Sequence, residues 1–191
     1  MSKLFIKQFI VIFLIILAIF SIIFGSLLPL MKSRRFISSL NSIQFIKTLG
    51  EFKVNFDRPL KFYSPIGDEE IVKFLSGNIF SAIAQREQSE ATARELILYI
   101  EPYMFKNNVR HLLTLSQMYF VLWQKSGQED DFIKAENYFR QALAIGPKLP
   151  PVLYTLFDLY QAKGDREKIK EIGEIILKYW PEDEKIEKYL N

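Results

Sequence analysis

The sequence contains no cysteine and a single histidine, His111, among its 191 residues. Without cysteine there is no disulfide framework, no thiolate zinc site and no thiol nucleophile. A glycine-rich phosphate loop, a nucleophile elbow and a metal-binding spacing of side chains are missing too. Charge of one sign is also scarce in excess: 25 Lys and Arg face 22 Asp and Glu, a formal net charge of +3. So small and evenly spread a surplus argues against a nucleic-acid partner. These absences together point away from an enzyme, and no residue set calls for a cofactor or a metal.

The isolated chemical residues have plain readings. His111 follows Arg110 at the start of a helical pattern and reads as a surface or helix-end residue. Glu129-Asp130-Asp131 lacks the spaced ligands of a calcium loop and suits the electropositive first turn of a helix. Lys168, Lys170, Glu171 and Glu174 form a solvated helix face with favourable near-neighbour pairs.

Between Lys7 and Lys32 charge is missing altogether, and Phe9 to Phe24 is almost wholly Ile, Leu, Phe, Val and Ala. About 20 such residues in a helix cross a bilayer core of roughly 30 Å. A cleaved signal peptide has a shorter apolar core, about 7 to 15 residues, and a small-residue cleavage site. Gly25-Ser26-Leu27-Leu28-Pro29 is a poor site of that kind, so residues 8–31 are predicted to be an uncleaved transmembrane helix after a short flank, 1–7. Lys3 and Lys7 lie on one side and Lys32, Arg34 and Arg35 on the other, a difference of one charge that favours a cytoplasmic C-terminal flank.

The rest of the chain reads as all-α. Phe36, Ile37, Leu40, Ile43, Ile46 and Leu49 recur at helical spacing, predicting an amphipathic helix over Phe36–Phe52 within a 32–67 linker region. Asp57-Arg58-Pro59 and Ser64-Pro65-Ile66-Gly67 predict a loop. Asp68-Glu69-Glu70 opens a helix that continues through Ile71, Leu75, Ile79 and Ile83. Ser89 is a candidate cap for the next, towards Phe105. Lys106-Asn107-Asn108 breaks the chain, after which helix and turn alternate to the end.

Two segments then share a template. The first has Leu115 and Tyr119, followed by Ala135, Phe139, Ala142 and Pro147. The second has Leu156, Tyr160, Gly164 and Pro181. Pro147 and Pro181 stand 34 positions apart. This resembles the tetratricopeptide repeat, whose period is about 34 residues. Small Ala135 and Ala142 would let helices approach, Tyr119, Tyr160 and Phe139 would fill the space between them, and Gly164-Asp165 would supply a turn and a cap. Both copies depart from the template. Tyr119 to Ala135 is longer by seven residues than Tyr160 to Ile169, an excess that reads as one helical turn around Trp123–Gly127 plus a longer connection. In the second copy Ile169, Gly173 and Ile176 stand where alanine, an aromatic and alanine are expected.

The resemblance implies a right-handed α-solenoid of antiparallel helix pairs. Residues 68–105 would be a repeat-like pair, 109–147 and 150–181 the two repeats, and 182–191 a capping helix. It also implies a concave surface lined by Arg110, Leu113, Gln117, Phe120 and Val121 from the first repeat. Tyr154, Asp158, Gln161 and Ala162 would line it from the second, receiving a peptide or helix of a partner protein.

A looser resemblance covers more of the chain. The helix end Leu27 to Arg35, an amphipathic segment, and Ser64 to Glu70 leading into helix pairs are similar to the C-terminal tail of bacterial O-antigen ligase and polymerase family membrane proteins. That likeness implies a non-catalytic tail or accessory of a glycan-transferring enzyme. It places the repeats outside the cytoplasm, opposite to the charge count, and the side stays open. The expectation is a single-pass protein of the bacterial plasma membrane, scaffolding cell-envelope or surface-polysaccharide assembly through a protein partner and held in the lipid bilayer.

Overall fold

The computed structural model describes residues 3–190, with side chains from Lys7 onward. Met1 and Ser2 of the expected N-terminal flank, and Asn191 of the expected capping helix, lie outside the described residues. Every regular element among the described residues is helical. The chain forms two compact units, Met1–Phe74 and Leu75–Asn191.

The N-terminal unit begins with a helix that continues well past the apolar run. Helix α1 (Lys3–Ile22) passes through a π-helical turn, Ile23–Leu27, into α2 (Leu28–Asn41). Pro29 explains the wide turn. Its ring opposes the carbonyl of Gly25 four residues back, and the backbone answers by bonding Leu28 N–H to Ile23 O, five back. The large apolar side chains from Phe9 to Phe20 are all exposed. This one helix is long and apolar enough to span a membrane.

The expected amphipathic helix over Phe36–Phe52 is two pieces. Phe36–Asn41 completes α2, a 3-10 turn covers Ile43–Phe45, and α3 begins afresh at Leu49–Leu60. The cause is a capping box. Thr48 Oγ1 accepts the Glu51 N–H at 3.2 Å while Glu51 Oε2 accepts the N–H groups of Lys47 and Thr48 at 2.8 and 3.3 Å. That local start signal outweighs a continuous apolar period. The halves fold back on each other, with Phe36 against Phe56 at 6.3 Å between centroids and Ser39 and Asn55 exchanging hydrogen bonds at 2.8 and 2.9 Å. Asp57-Arg58-Pro59, expected in a loop, ends α3 instead. Pro59 cannot donate to Asn55 O, and the Ser39 hydroxyl satisfies that carbonyl.

Helix α4 (Asp68–Ile83) carries three acids in its first turn, and the unit boundary falls within it. In the C-terminal unit α5 (Glu90–Ile100) starts at Ser89, whose hydroxyl accepts the Thr92 N–H at 3.2 Å, and leads into a 3-10 turn, Glu101–Tyr103. Then come α6 (Val109–Ser126), α7 (Glu129–Ile145), α8 (Pro150–Lys163), α9 (Arg166–Tyr179) and α10 (Glu184–Leu190). Each helix from α5 to α10 packs on the next, and α6 also meets α8. Leu112, Ala142 and Val152, from α6, α7 and α8, meet in one buried cluster.

The two hairpins α6–α7 and α8–α9 have equally short turns. Gly127-Gln128 and Gly164-Asp165 each place a left-handed glycine, at φ 68° and 78°, before the residue that starts the next helix. The seven extra residues of the first hairpin therefore do not lengthen the connection. Four extend α6, which has 18 residues against 14 in α8, and three extend α7, which has 17 against 14 in α9. The hairpin is about one turn taller at its tip.

Candidate functional site

The extra turn carries polar groups that grip the neighbouring helices. Lys125 Nζ donates to the carbonyls of Gln85 and Gln88 at 2.8 and 3.2 Å, on the turn between α4 and α5. Arg94 on α5 grips Asp131 on α7 with two parallel bonds, 2.8 and 2.7 Å, and also reaches Glu90 and Gln128. On the other side Lys163, from α8, pairs with Glu129 and lies 4.5 Å over the Phe132 ring and 5.6 Å over Trp123. The acidic run Glu129-Asp130-Asp131 is thus divided between partners. Glu129 goes to α8, buried Asp131 to α5, and Asp130 stays exposed.

A second arrangement occurs twice. Tyr119 on α6 donates to Glu101 Oε2 at 2.6 Å, and Lys134 Nζ lies 4.9 Å over its ring. Tyr160 on α8 donates to Glu136 Oε1 at 2.7 Å, and Lys168 Nζ lies 5.9 Å over its ring. In each case the carboxylate comes from the element before the tyrosine's helix and the lysine from the helix after it. Lys134 precedes Ala135 and Lys168 precedes Ile169, so the template positions and the contacts agree on which residues correspond. Tyr138 adds a second donor to Glu101, with Lys106 4.3 Å over the Tyr138 ring. Burial, then the bond to a carboxylate, pushes the phenols of Tyr119, Tyr138 and Tyr160 up, so they remain donors.

Glu136 gives this arrangement a pH dependence. Burial works against its charge, yet bonds from Tyr160 and Arg140 hold its carboxyl below the ordinary 4.5. A carboxyl lowered by folding contributes stability that is complete above its unfolded value and lost as pH falls through the folded one. In urea titrations the stability difference between the native chain and Glu136→Gln is therefore expected to shrink as pH falls below about 4.5. A pH-independent difference would contradict the pairing.

The expected concave residues have unequal surroundings. Arg110, Asp158, Gln161 and Ala162 are exposed, whereas Gln117 and Val121 are half-buried. Leu113 packs on the Leu112–Ala142–Val152 cluster. Phe120 stacks on Trp123 at 6.0 Å, and Tyr154 donates to Asp183 at the start of α10 beside Trp180. That bond to Asp183 pushes the Tyr154 phenol up to about 12. Two stripes result, one on α6 and one on α8, and their exposed members are hydrophilic apart from Ala162.

Trp123 and Lys163 were not among the expected residues, yet with Gln124, Gly127, Glu129 and Ala162 they line a shallow recess at the hairpin tips. Trp123 lies inside the extra turn, where the template has no position for it. His111, expected at a surface or helix end, is in the first turn of α6 but buried. Its Nδ1 accepts the Phe105 N–H at 3.0 Å, and the imidazole meets the Phe105 ring edge-on at 5.4 Å between centroids. The 3-10 turn leaves the Phe105 amide without a helical acceptor, and the histidine supplies one. Comparison with family models, with curated proteins and with solved structures returned no match.

Proposed function

We propose that this chain is a non-enzymatic scaffold. Its apolar N-terminal helix is a single-pass anchor in a bacterial plasma membrane, and its C-terminal unit is a short tetratricopeptide-like right-handed solenoid that binds a protein partner. The observation that carries the repeat reading is the duplicated bond of Tyr119 to Glu101 and Tyr160 to Glu136, each with a lysine over the ring. A contact recurring from one hairpin to the next, its two lysines 34 positions apart, is what stacked repeats produce. It also supports α5 with its 3-10 turn as the second helix of an upstream layer, since Glu101 plays there the part that Glu136 plays on α7. The assignment to cell-envelope or surface-polysaccharide assembly rests on the sequence resemblance.

The stripe of Arg110, Gln117, Phe120, Tyr154, Asp158 and Gln161 would receive an extended peptide or an amphipathic helix. A photo-crosslinking residue at Asp158 or Gln161, in cells, is expected to give a discrete protein adduct. Exposed Lys170 and Glu174, on α9, are expected to give none. Phe120→Glu should suppress the Asp158 adduct while leaving the helical circular dichroism unchanged. Equal adducts from all four positions, or indifference to Phe120→Glu in a folded chain, would refute the surface.

The second reading is a detached or accessory tail of an O-antigen ligase or polymerase type enzyme, itself non-catalytic. One observation favours it. Lys32, within the Leu27–Arg35 segment, pairs with Asp68, within the Ser64–Glu70 segment, so the two stretches that carry the looser resemblance form one built junction. Co-purification with a polytopic membrane protein in detergent is its expected consequence.

A further inference from the structure

We propose that the loop Lys61–Gly67 is a second membrane contact, pressing Tyr63 and Ile66 into the headgroup region beside the anchor helix. The proposal rests on the reading of that helix as membrane-spanning and adds to it a surface outside the span.

The apolar run fixes a depth. At 1.5 Å per residue, Phe9 to Met31 rises about 33 Å, close to the thickness of a bilayer core. Lys32, the first charge after the run, is thus at the boundary between acyl chains and headgroups. A lysine at such a place ordinarily reaches outward to the headgroups. This one does not: it is 1% exposed, its ammonium donating to Phe62 O at 2.7 Å and pairing with Asp68.

Helices α2 and α3 are antiparallel, since the partners of Phe36, Ser39 and Lys32 are Phe56, Asn55 and Phe62 in reverse order. The hairpin leaves the boundary along α2 and returns to it along α3, delivering the loop to the depth of Lys32. There the loop is built rather than slack. The Ser64 hydroxyl donates to Ile66 O at 2.7 Å, and Gly67 turns at φ +98° beside the Lys32 stem, where a left-handed backbone favours glycine.

The loop exposes Tyr63 at 69% and Ile66 at 61%, and Pro65 is exposed as well. A single exposed apolar residue needs no explanation in water. A tyrosine and an isoleucine at the depth where a largely exposed apolar helix ends match the amphipathic belt of a membrane interface. Arg35 lies 4.3 Å over the Phe62 ring, and exposed Arg34 and Arg35 add cations suited to lipid phosphates.

The native lack of cysteine makes the test direct. An environment-sensitive label is placed singly at Phe20→Cys, Asn41→Cys, Tyr63→Cys and Ile66→Cys, all exposed positions. The full chain is reconstituted in phosphatidylcholine–phosphatidylglycerol vesicles containing nitroxide lipids of shallow or deep label. The expected result is that shallow nitroxides quench the label at 63 and 66 more strongly than deep ones do, as for a group at the interface. Position 20 should respond to deep nitroxides, and position 41 should be untouched. Equal quenching at 41 and 66 overturns the loop contact. If position 20 is still quenched by deep nitroxides, the spanning helix stands and only the loop contact falls. If position 20 is unquenched, the anchor reading fails and takes the proposal with it.

Discussion

Arg94→Leu is expected to destabilise the C-terminal unit by about 3 kcal/mol. Asp131 is 1% exposed, and its two oxygens accept both terminal nitrogens of Arg94, with the Ser126 hydroxyl as a further donor at 2.8 Å. Losing the arginine leaves a buried carboxylate with one neutral donor. Stranding one member of a buried pair costs roughly 3–5 kcal/mol, and the partial exposure of Arg94 places the effect at the lower end. The converse change should be milder. In Asp131→Asn the arginine keeps Glu90 and part of its hydration, so about 1 kcal/mol is expected. The double variant should be more stable than Arg94→Leu alone, because it removes the stranded charge. Urea unfolding of the four proteins measures this. A loss below about 0.5 kcal/mol for Arg94→Leu would mean that the taller hairpin is not held by this pair.

Gly173→Phe, which restores the aromatic expected from the repeat template, should destabilise rather than improve the fold. The position corresponds to Phe139, a fully buried ring of the first hairpin. In the second hairpin the same space is occupied from outside. An ideal Cβ on Gly173 would sit 2.9 Å from Leu190 Cδ1 and 3.2 Å from its Cγ. The glycine is a notch for the terminal helix α10. Gly173→Ala sets a mild clash with a flexible leucine against a gain of about 1 kcal/mol in helix propensity, and the two nearly cancel. A phenyl ring cannot share the notch. It would expel Leu190, and with it buried Ile186 and the edge-on contact of Tyr189 with Phe157 at 5.3 Å. Exposing fully buried Ile186 costs about 1.5–3 kcal/mol and partly buried Leu190 less, partly offset by burial of the new ring, for a net loss of about 2 kcal/mol. Hydrogen exchange should then show α10 unprotected. A stabilised variant with α10 still protected would contradict the notch.

Much of the helical layout is legible from local chemistry. Ser89 and Gly164-Asp165 cap or turn where their side chains and backbone freedom predict, because such signals act within a few residues. Failures came where a short signal competes with a longer one, or where the answer lies in a distant residue. The apolar period over Phe36–Phe52 hides the break because Thr48 and Glu51 satisfy each other's backbone there. Pro59 reads as a loop residue until Ser39, twenty positions away, satisfies the carbonyl it leaves. Of the seven extra residues, the helical turn on α6 is legible, but the rest look like a longer connection because nothing local distinguishes a longer loop from a longer α7. Gly173 looks like a defect until Leu190 is seen to fill it. The candidate surface comes from template spacing alone, and Trp123, in the extra turn beside Lys163, has no place in that template.

Alkaline carbonate extraction of native membranes tests most directly the proposal that the uncleaved apolar helix holds the helical unit at a membrane. The chain is expected to stay in the pellet. Tryptic digestion of the pellet should yield the Gln8–Lys32 peptide in the same amount as peptides from α6 to α9. Release of those later peptides into the supernatant without Gln8–Lys32 would show a removed leader instead, and would contradict the account.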